Sequence, residues 1–585
     1  MISPVAEQSN TRIRGVFKCN EPHEYLVVVR EGEVRGFYGS LSIMAVVGHG
    51  RVDGGLIPEQ SNESKKTYWR KVCAPYAEGR PILVSVDSDL PSSLTPHRAT
   101  WRIKELTPEW NAVQLYMNNR PNNSSVLLLR VSKIPSAEAR IVYTLHEGYL
   151  SPPPNANYRF AYNISVSFFN TMIEDTTPIK SYDTASTHNI NAALDQLQSR
   201  TGRTVVLVVG DKNRGKSAFT RKIVNYLWTE DERKTKSVYL MDMDIGQSEF
   251  TPQGCMSCRK INGPILDVPF NHQEEVFEDA YLIGNVTVAN PIEEKRYLKS
   301  MHLLYSKWRD TSEQDAVLVV NTMGWIMGFG KRVLDELISI SGPRFVFNML
   351  GAPSTSHLAR MKFHVPKHCN EITVTWNTPS PATQQPRFSL TPAQLRQLTT
   401  ISYFAKCLSE CRPVLSAFSE VSPYGIDLED LCIVLPPNMT SLPDQGIFSF
   451  LNLTVVALAI VEGSKMSRLD RRRMINVDVL PWIVVKKDED DPWKILGYAI
   501  IRGVDIKKKK LFLLTPLPIE AMQRVDCIVC VSHMDVPPAL IYSQPFIDKP
   551  YVSSTEGMNT RSSAPLNDLY QGFVSRSCPN RQIRH

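Results

Sequence analysis

Residues 204–228 read TVVLVVGDKNRGKSAFTRKIVNYLW, and this stretch decides the fold. Its first part is a short β-branched run that is typical of a buried strand. Its last part places Phe219, Ile223, Tyr226 and Leu227 on one face of a helix. Between the two lies GDKNRGKS (210–217), which fits the phosphate-loop pattern G-x-x-x-x-G-K-[ST]. Strand, glycine loop and helix in this order predict a helix N-terminus that faces an anion.

The loop residues have distinct expected roles. Gly210 and Gly215 let the backbone curl so that its N–H groups point at phosphate oxygens. Lys216 then reaches the β/γ-phosphates and Ser217 a magnesium ion. An ordinary glycine turn with an incidental lysine is disfavoured by the flanking strand and helix. The expected nucleotide-binding residues are Gly210, Asp211, Lys212, Asn213, Arg214, Gly215, Lys216, Ser217 and Ala218.

A pair of aspartates follows the next expected strand, in MDMDIGQSEFTPQG (241–254). Because Asp242 and Asp244 alternate with methionines, we expect both carboxylates on one face at the strand's end. One would hold the water shell of Mg²⁺, while the other would accept a hydrogen bond from an attacking hydroxyl. Gln247 would orient that nucleophile or a metal-bound water. In the alternative interpretation one aspartate is a simple magnesium ligand and the other only balances charge.

A third feature is VLVVNTMGWIMGFG (317–330), in which a buried strand runs into a glycine turn. Trp325 at this turn would offer a flat face to a nucleic-acid base. A core aromatic with a hydrogen-bonded N–H is the competing interpretation, and residue chemistry alone favours it.

Outside this region the pattern changes, and we predict three domains. Residues 1–195 and 426–585 carry short alternating or apolar runs between turn signals, which predicts β-rich domains, the second with a flexible tail after about residue 550. Residues 196–425 alternate strands with helices, which predicts an α/β P-loop domain with a mostly parallel sheet. A polar, Pro-rich stretch (377–388) marks a loop in this domain. The predicted strands are 204–209, 237–242, 281–289, 317–321, 345–349 and 371–376.

Composition bounds the remaining classes. The chain has 585 residues, with 66 Lys+Arg against 59 Asp+Glu, and the resulting charge of +7 permits a nucleic-acid partner without requiring one. The N-terminal stretch lacks the apolar core of a secretory signal, and the longest apolar run (453–461) is too short to span a bilayer. We therefore expect a soluble intracellular protein with no membrane partner. The 11 cysteines fit reduced thiols, and the C-x-x-C pairs lack nearby histidines at zinc-finger spacing.

Four segments together resemble the polynucleotide 5′-hydroxyl kinases. GDKNRGKSAFTR, DMDIGQSEFTPQGC, YLIGNVTVANP and NTMGW occur in the order and spacing of that family. EFTP after the D-x-D-x-G-Q motif, and IIRGVDIKKKKLFLLTPLP near the C-terminus, resemble its nucleolar, pre-ribosomal RNA branch. The likeness covers the P-loop domain and much of the C-terminal domain.

The resemblance implies transfer of the ATP γ-phosphate to the 5′-hydroxyl of an RNA end. It implies that Lys216 and Ser217 hold phosphates and metal, that Asp242 belongs to the magnesium shell, and that Asp244 is the general base, with Gln247 organising the nucleophile. Residues Thr322, Gly324 and Trp325 correspond to the family's clasp on the terminal nucleotide. Arg396 in LTPAQLRQLTTISYF is the candidate lid arginine, and Arg387 competes with it.

The resemblance also implies a setting and a competing function. It implies residence in the nucleus and nucleolus, and a partner endonuclease that cuts the pre-rRNA internal transcribed spacer. The basic runs at 465–474 and 505–511 would contact RNA backbone, act as import signals or form solvated loops. A nucleotide-binding scaffold with little turnover is the alternative function, although such a protein would not need both Asp244 and Gln247.

Overall fold

The structure is a computed structural model. It describes residues 15–30, 33–60, 69–75, 82–86, 94, 96–117, 124–130, 161–166, 169–175, 184–228, 236–350, 364–375, 390–407, 421–428, 432–436, 444–461, 470–473, 482–486, 490–505 and 507–537. The predicted flexible tail, the loop at 377–388 and Arg387 lie outside these ranges, as does most of the basic run at 465–474. Among the described residues, no helix is both long and apolar enough to cross a bilayer.

The helices are, in chain order, α1 (Pro96–Leu106), α2 (Trp110–Tyr116), α3 (Thr184–Ser199), α4 (Lys216–Leu227), α5 (Pro291–Thr311), α6 (Phe329–Ser341), α7 (Pro392–Ala405), α8 (Asp444–Leu451) and α9 (Ile519–Met522). A 3₁₀ turn covers Pro269–Asn271. The strands are β1 (Val16–Lys18), β2 (Glu24–Arg30), β3 (Val34–Val47), β4 (Gly50–Val52), β5 (Gly55–Ile57), β6 (Arg70–Ala74), β7 (Ile82–Val86), β8 (Ser124–Arg130), β9 (Ala161–Val166), β10 (Phe169–Asp175), β11 (Thr204–Gly210), β12 (Val238–Asp242), β13 (Cys255–Lys260), β14 (Ala280–Leu282), β15 (Val317–Asn321), β16 (Phe345–Met349), β17 (Asn370–Val374), β18 (Tyr424–Asp427), β19 (Cys432–Val434), β20 (Val455–Ile460), β21 (Asp470–Arg473), β22 (Trp482–Lys486), β23 (Trp493–Asp505), β24 (Lys510–Leu514) and β25 (Cys527–Cys530).

The chain divides into two compact units, each made of several segments. The first unit contains Met1–Leu240, Lys260–Val268 and Ser312–Thr391. The second contains Met241–Arg259, Pro269–Thr311 and Pro392–His585. The division into three domains, with boundaries at about residues 195 and 425, stays a prediction.

The N-terminal part of the first unit is an antiparallel sheet built from β1 to β10 around the long strand β3. Its β-rich character agrees with the sequence prediction. Helices α1 and α2 were not predicted, since their apolar residues fall among many short strand-like runs. Their buried residues recur at a spacing of four, which is the helical spacing, and pack in one core with strand residues. These residues are Ala99, Ile103 and Val113 in the helices and Met117 directly after α2.

A parallel sheet forms the second part of this unit and confirms the predicted P-loop α/β fold. Its strand order is β17-β16-β11-β15-β12, with β11 central and buried along its whole length. Residues 238–240 of β12 belong to this unit, whereas Met241 and Asp242 belong to the second. The pairs β11/β15, β11/β16 and β16/β17 are parallel, as expected for strands joined by helical crossovers. Helix α4 packs on this sheet through Phe219, whose ring lies 5.1 Å from that of Phe347. Ile223 and Leu227 are also fully buried, whereas Tyr226 is partly exposed.

The second unit contains a β-rich region in the order β13-β14-β23-β20-β25-β19-β22-β21, with β24 between β23 and β18. Two strand predictions here are wrong. The apolar run at 447–461 is one of the runs that predict strands in the C-terminal domain, but it begins as helix α8 and only β20 is a strand. Ile447 and Leu451 are one helical turn apart, and both point into the core. The predicted strand at 281–289 shortens to β14, which is antiparallel to β13.

Candidate active site

The phosphate loop has the backbone that its glycines predict. Gly215 and Asn213 have φ values of +75° and +61°, in the left-handed region. The first helical hydrogen bond runs from the N–H of Phe219 to the carbonyl of Gly215 at 2.9 Å, so the preceding N–H groups of helix α4 have no partner within the helix. A Cβ on Gly210 would lie 2.8 Å from the carbonyl oxygen of Met349, which excludes a side chain there. This helix N-terminus therefore fits a bound phosphate chain.

Lys216 is buried at the start of helix α4, with only 6% of its surface exposed. Its ammonium Nζ donates to the carbonyl oxygen of Asp211 at 2.9 Å. The bond folds the side chain back across the phosphate loop, so the positive charge lies over the residues that would surround the phosphates. Lys212 and Asn213, which form the outer part of the loop, are exposed.

The glycine turn after β15 is joined directly to the phosphate loop. The amide Nδ2 of Asn321 lies 3.4 Å from the hydroxyl of Ser217. A Cβ on Gly324 would lie 2.8 Å from the Cα of Lys212 and 3.0 Å from its backbone nitrogen, so the two backbones are in contact. The structure thus brings the predicted nucleotide-binding and clasp residues together within the first unit.

Trp325 projects from this turn, and 43% of its surface is exposed. The core interpretation of Trp325 does not fit this exposure. The ring of Phe329 packs edge-on against the indole, with the centroids 6.2 Å apart and the planes at 70°. Two residues further along, Met327 is also exposed at 53%. The turn therefore presents apolar groups to solvent beside the phosphate loop.

Thr322 differs from the other predicted clasp residues, because its side chain is 1% exposed. Its hydroxyl donates to the carbonyl oxygen of Val208 in β11 at 2.7 Å. This bond fixes the start of the turn to the strand that leads into the phosphate loop. The side chain of Thr322 therefore helps to hold the turn in place.

In the second unit, Asp242 ends strand β12 and is 1% exposed. Its Oδ1 accepts the N–H of Asp244 at 3.1 Å, and its Oδ2 accepts the N–H of Glu249 at 2.6 Å. Asp244 lies beyond the strand and is partly exposed. Its Oδ1 accepts the N–H groups of Gly246 and Gln247, both at 3.1 Å. The strand ends at Asp242, so the expected strand alternation does not reach Asp244. A hydrogen-bonded turn links the two residues.

The two aspartates place negative charge near a buried tyrosine that sequence reasoning missed. Tyr297 on α5 is fully buried and donates its hydroxyl to the carbonyl oxygen of Met243 at 2.7 Å. Burial, followed by the charges of Asp244 and Asp242, raises the pKa of Tyr297 well above its ordinary value. The phenol therefore stays protonated and keeps its bond to the turn. Only its spacing on an amphipathic helix could have indicated this role.

The remaining predicted residues belong to the same unit. The side chain of Gln247 is exposed next to Asp244. Arg396 is half-buried on helix α7, one turn before Thr400. The hydroxyl of Thr400 donates to Oε1 of Gln253 at 3.3 Å, so this face of α7 is turned toward the segment that follows the aspartates. That Lys216 and Ser217 share one nucleotide with these residues stays a prediction.

Two family models match the chain. Residues 210–406 match the P-loop domain of the mRNA cleavage and polyadenylation factor CLP1, and residues 472–536 match a NOL9-like C-terminal domain. The second match covers β22, β23, β24 and β25. The residues of the first match include the phosphate loop, the aspartate turn and the glycine turn.

Named relatives are similar over most of the chain. The polynucleotide 5′-hydroxyl-kinase nol-9 of Caenorhabditis briggsae is 27% identical over 92% of this chain and 94% of its own length. The C. elegans protein of the same name is 27% identical over 97% of this chain and 99% of its own. The human polynucleotide 5′-hydroxyl-kinase NOL9 is 24% identical over 60% of this chain and 52% of its own. These matches confirm the resemblance to the polynucleotide 5′-hydroxyl kinases.

A solved structure, the wild-type Clp1p–Pcf11p complex, is also similar. It covers 88% of this chain and 99% of the matched chain at 12% identity, with a TM-score of 0.48. The fold assignment rests on the strand order and the family models.

Proposed function

We propose that this protein is an ATP-dependent polynucleotide 5′-hydroxyl kinase that transfers the γ-phosphate to the 5′-OH end of RNA. The observation that carries the proposal is the backbone contact between Gly324 and Lys212, because it sets an exposed indole beside a phosphate loop. A stacking surface next to a nucleotide site suits a substrate that ends in a base. The named kinases that match nearly the full length of the chain support the same activity.

The loop chemistry fits the cofactors that this reaction uses. Bound ATP supplies the phosphoryl group, and Mg²⁺ neutralises charge that develops on its oxygens. The N–H groups at the start of α4 and the ammonium of Lys216 would bind the phosphates. The hydroxyl of Ser217 and the carboxylate of Asp242 are hard oxygen donors, which magnesium prefers.

The hydrogen bonds separate the roles of the two aspartates. Both oxygens of Asp242 accept backbone N–H groups, so this buried carboxylate is fixed and suits a metal's water shell. Asp244 uses Oδ1 for the two N–H groups of the turn, which orients the carboxylate and leaves Oδ2 for a proton. As the O5′–phosphorus bond forms and the bond to the β–γ bridging oxygen breaks, Oδ2 would take the hydroxyl proton. The exposed Gln247 would orient the hydroxyl, and Arg396 would act from the lid.

The setting of the reaction is part of the proposal. The proposed substrates are pre-rRNA internal transcribed spacer ends, in the nucleolus within the nucleus, as the resemblance to the nucleolar branch implies. The match to a NOL9-like C-terminal domain and the NOL9 relatives support membership of that branch. An endonuclease that leaves a 5′-hydroxyl would supply the substrate. Purification of the tagged protein from nuclei, followed by identification of stoichiometric partners, tests this setting. Recovery without a nuclease, together with exclusion from the nucleolus, would contradict it.

Asp244→Asn tests the assigned chemistry, with single-stranded RNA bearing either a 5′-hydroxyl or a 5′-phosphate as substrate. We expect wild-type protein to label only the 5′-hydroxyl RNA. We expect the variant to lose at least about 100-fold in kcat while it still binds ATP, as removal of one transition-state group commonly does. Lost ATP binding would reassign Asp244 to the metal shell. ATP binding by wild-type protein without transfer, alone or with its partners, would favour the scaffold.

A further inference from the structure

The position of Asp242 depends on Glu249, which closes the aspartate turn. The N–H of Glu249 donates to Oδ2 of Asp242 at 2.6 Å. The other oxygen is held from within the turn, by the N–H of Asp244. A shift of residue 249 would therefore rotate or release the Asp242 carboxylate.

Glu249 is in turn held by a short segment, residues 269–274, which we name the brace. Oε1 of Glu249 lies 3.0 Å from Nε2 of His272. The amide of Gln273 donates to the carbonyl oxygen of Glu249 at 3.2 Å, and the N–H of Glu274 donates to the carbonyl oxygen of Phe250 at 2.8 Å. Side chain and backbone of the 249–250 dipeptide are thus bonded to three consecutive residues of the brace.

Glu249 is buried, so the position of its carboxylate depends on the contact with His272. Glu249 is 2% exposed and His272 20% exposed. A carboxylate removed from water needs hydrogen-bond partners, and a lost partner forces it to move or to take up a proton. The ring of His272 also lies 5.2 Å from that of Phe250, so the imidazole contacts both residues of the dipeptide.

The brace also contacts the element that carries the candidate lid arginine. Helix α7 packs against the 3₁₀ turn Pro269–Asn271, at the beginning of the brace. The amide of Gln273 donates to the carbonyl oxygen of Pro269 at 2.8 Å, which closes the brace on itself. One segment therefore lies against both the aspartate turn and the helix of Arg396.

We propose that Glu249 and His272 are positioning residues, which hold Asp242 in the orientation needed for its metal shell. The proposal rests on the proposed kinase function. Neither side chain touches a reacting atom, and both act through the 2.6 Å bond to Asp242. Loss of such an outer partner of a metal-site residue typically costs 10- to 100-fold in metal affinity or activity.

Glu249→Ala and Glu249→Gln in the full-length protein separate positioning from charge. We expect Glu249→Ala and His272→Ala to lower kcat by about 10- to 100-fold and to raise the Mg²⁺ concentration for half-maximal rate, while KM for RNA changes less than about twofold. Glu249→Gln keeps an acceptor for His272 and should recover most of the rate. Glu274→Gln, which removes the ion pair with Arg259 from the brace, is the matched control.

A second measurement keeps the test independent of turnover. Mn²⁺ binding in the presence of a non-hydrolysable ATP analogue, followed by electron paramagnetic resonance, should weaken about 10-fold or more in Glu249→Ala and stay unchanged in the control. If wild-type protein transfers no phosphate but Glu249→Ala still binds Mn²⁺ more weakly than wild type, the proposed function is refuted and the positioning role stands. Normal Mn²⁺ affinity and kcat in Glu249→Ala, with only a lower melting temperature, would overturn the inference. Equal damage in Glu249→Gln would also overturn it.

Discussion

Asp242 and Asp244 look equivalent in the residue pattern, and their hydrogen bonds differ in the structure. Two backbone N–H groups occupy both oxygens of Asp242, whereas Asp244 holds the turn through Oδ1 alone. The motif allowed the residues to be chosen. The residue pattern alone left the roles open, and the resemblance to the kinases implied Asp242 for the magnesium shell and Asp244 for the general base, an assignment that stays a prediction.

The exposure of Trp325 and the hydrogen bond of Thr322 were also not evident from the residue pattern. Residue chemistry favoured a buried Trp325, yet the indole is 43% exposed, since the glycine turn lifts it out of the strand. Thr322 is one of the predicted clasp residues, and its hydroxyl is bonded to β11; its contact with substrate stays a prediction. The exposure of a side chain next to a turn depends on tertiary contacts that no local pattern contains.

Trp325→Ala should weaken RNA binding through the loss of one stacking surface. Base–aromatic stacking contributes about 1–3 kcal/mol, so we expect KM for RNA to rise roughly 5- to 150-fold while KM for ATP stays within about twofold. Trp325→Phe should retain much of the affinity. The measurement is initial rate against RNA concentration. An alanine variant with unchanged KM for RNA would remove Trp325 from the substrate contacts.

Among the elements, the P-loop strands were the most predictable. Strands β15 and β16 match the predicted residues, because a buried parallel strand is a continuous apolar run bounded by turn residues. Helix α8 was missed for the same reason, since a short apolar run does not distinguish a helix from a strand. The contact between the glycine turn and the phosphate loop lay beyond prediction, because it joins residues from two distant parts of the chain.

Gly324→Ala tests the contact between these two elements. The added methyl would meet the backbone of Lys212 at 2.8 to 3.0 Å, and backbone atoms cannot yield without moving the loop. We expect KM for ATP and KM for RNA to rise together, because one displacement disturbs both the phosphate loop and the turn that carries Trp325.

The matched control is Gly263→Ala, where an added Cβ has no atom within 4 Å. Steady-state kinetics on both substrates would show the difference. If Gly324→Ala bound ATP and RNA as the control does, the two loops would not depend on each other for their positions.

At the scale of the whole molecule, the sequence predicted an α/β sheet with β-rich regions, and the structure confirms that fold class. It did not predict the hydrogen bonds that connect the C-terminal β-strands to the segment after the aspartates. The hydroxyl of Tyr498 and Nε2 of His533 both donate to the carbonyl oxygen of Gln253, at 3.1 Å each. These bonds join residues that are more than two hundred positions apart, so no local sequence pattern predicts them.

His533 should make the stability of the protein sensitive to acid. Burial lowers its pKa to about 4, from an ordinary value of 6.5, and the bond to Gln253 only partly opposes this. The unfolded chain binds a proton at His533 more readily than the folded chain does. The stabilisation of the folded state by neutral His533 is therefore complete above pH 6.5 and is lost as the pH falls toward 4. Urea unfolding of wild type and His533→Asn across this range should show a smaller loss of unfolding free energy in the variant. Parallel losses would exclude His533 as the cause.

The central claim is phosphoryl transfer from the nucleotide held by GDKNRGKS to an RNA end. The most direct measurement is transfer of labelled γ-phosphate from Mg²⁺-ATP to single-stranded 5′-hydroxyl RNA, by wild type, by Lys216→Ala and by Lys295→Ala as an exposed lysine control. We predict label on the RNA with wild type and control, and a kcat at least about 100-fold lower for Lys216→Ala, since one preorganised charge stabiliser is lost. Near-normal labelling by folded Lys216→Ala would contradict the account.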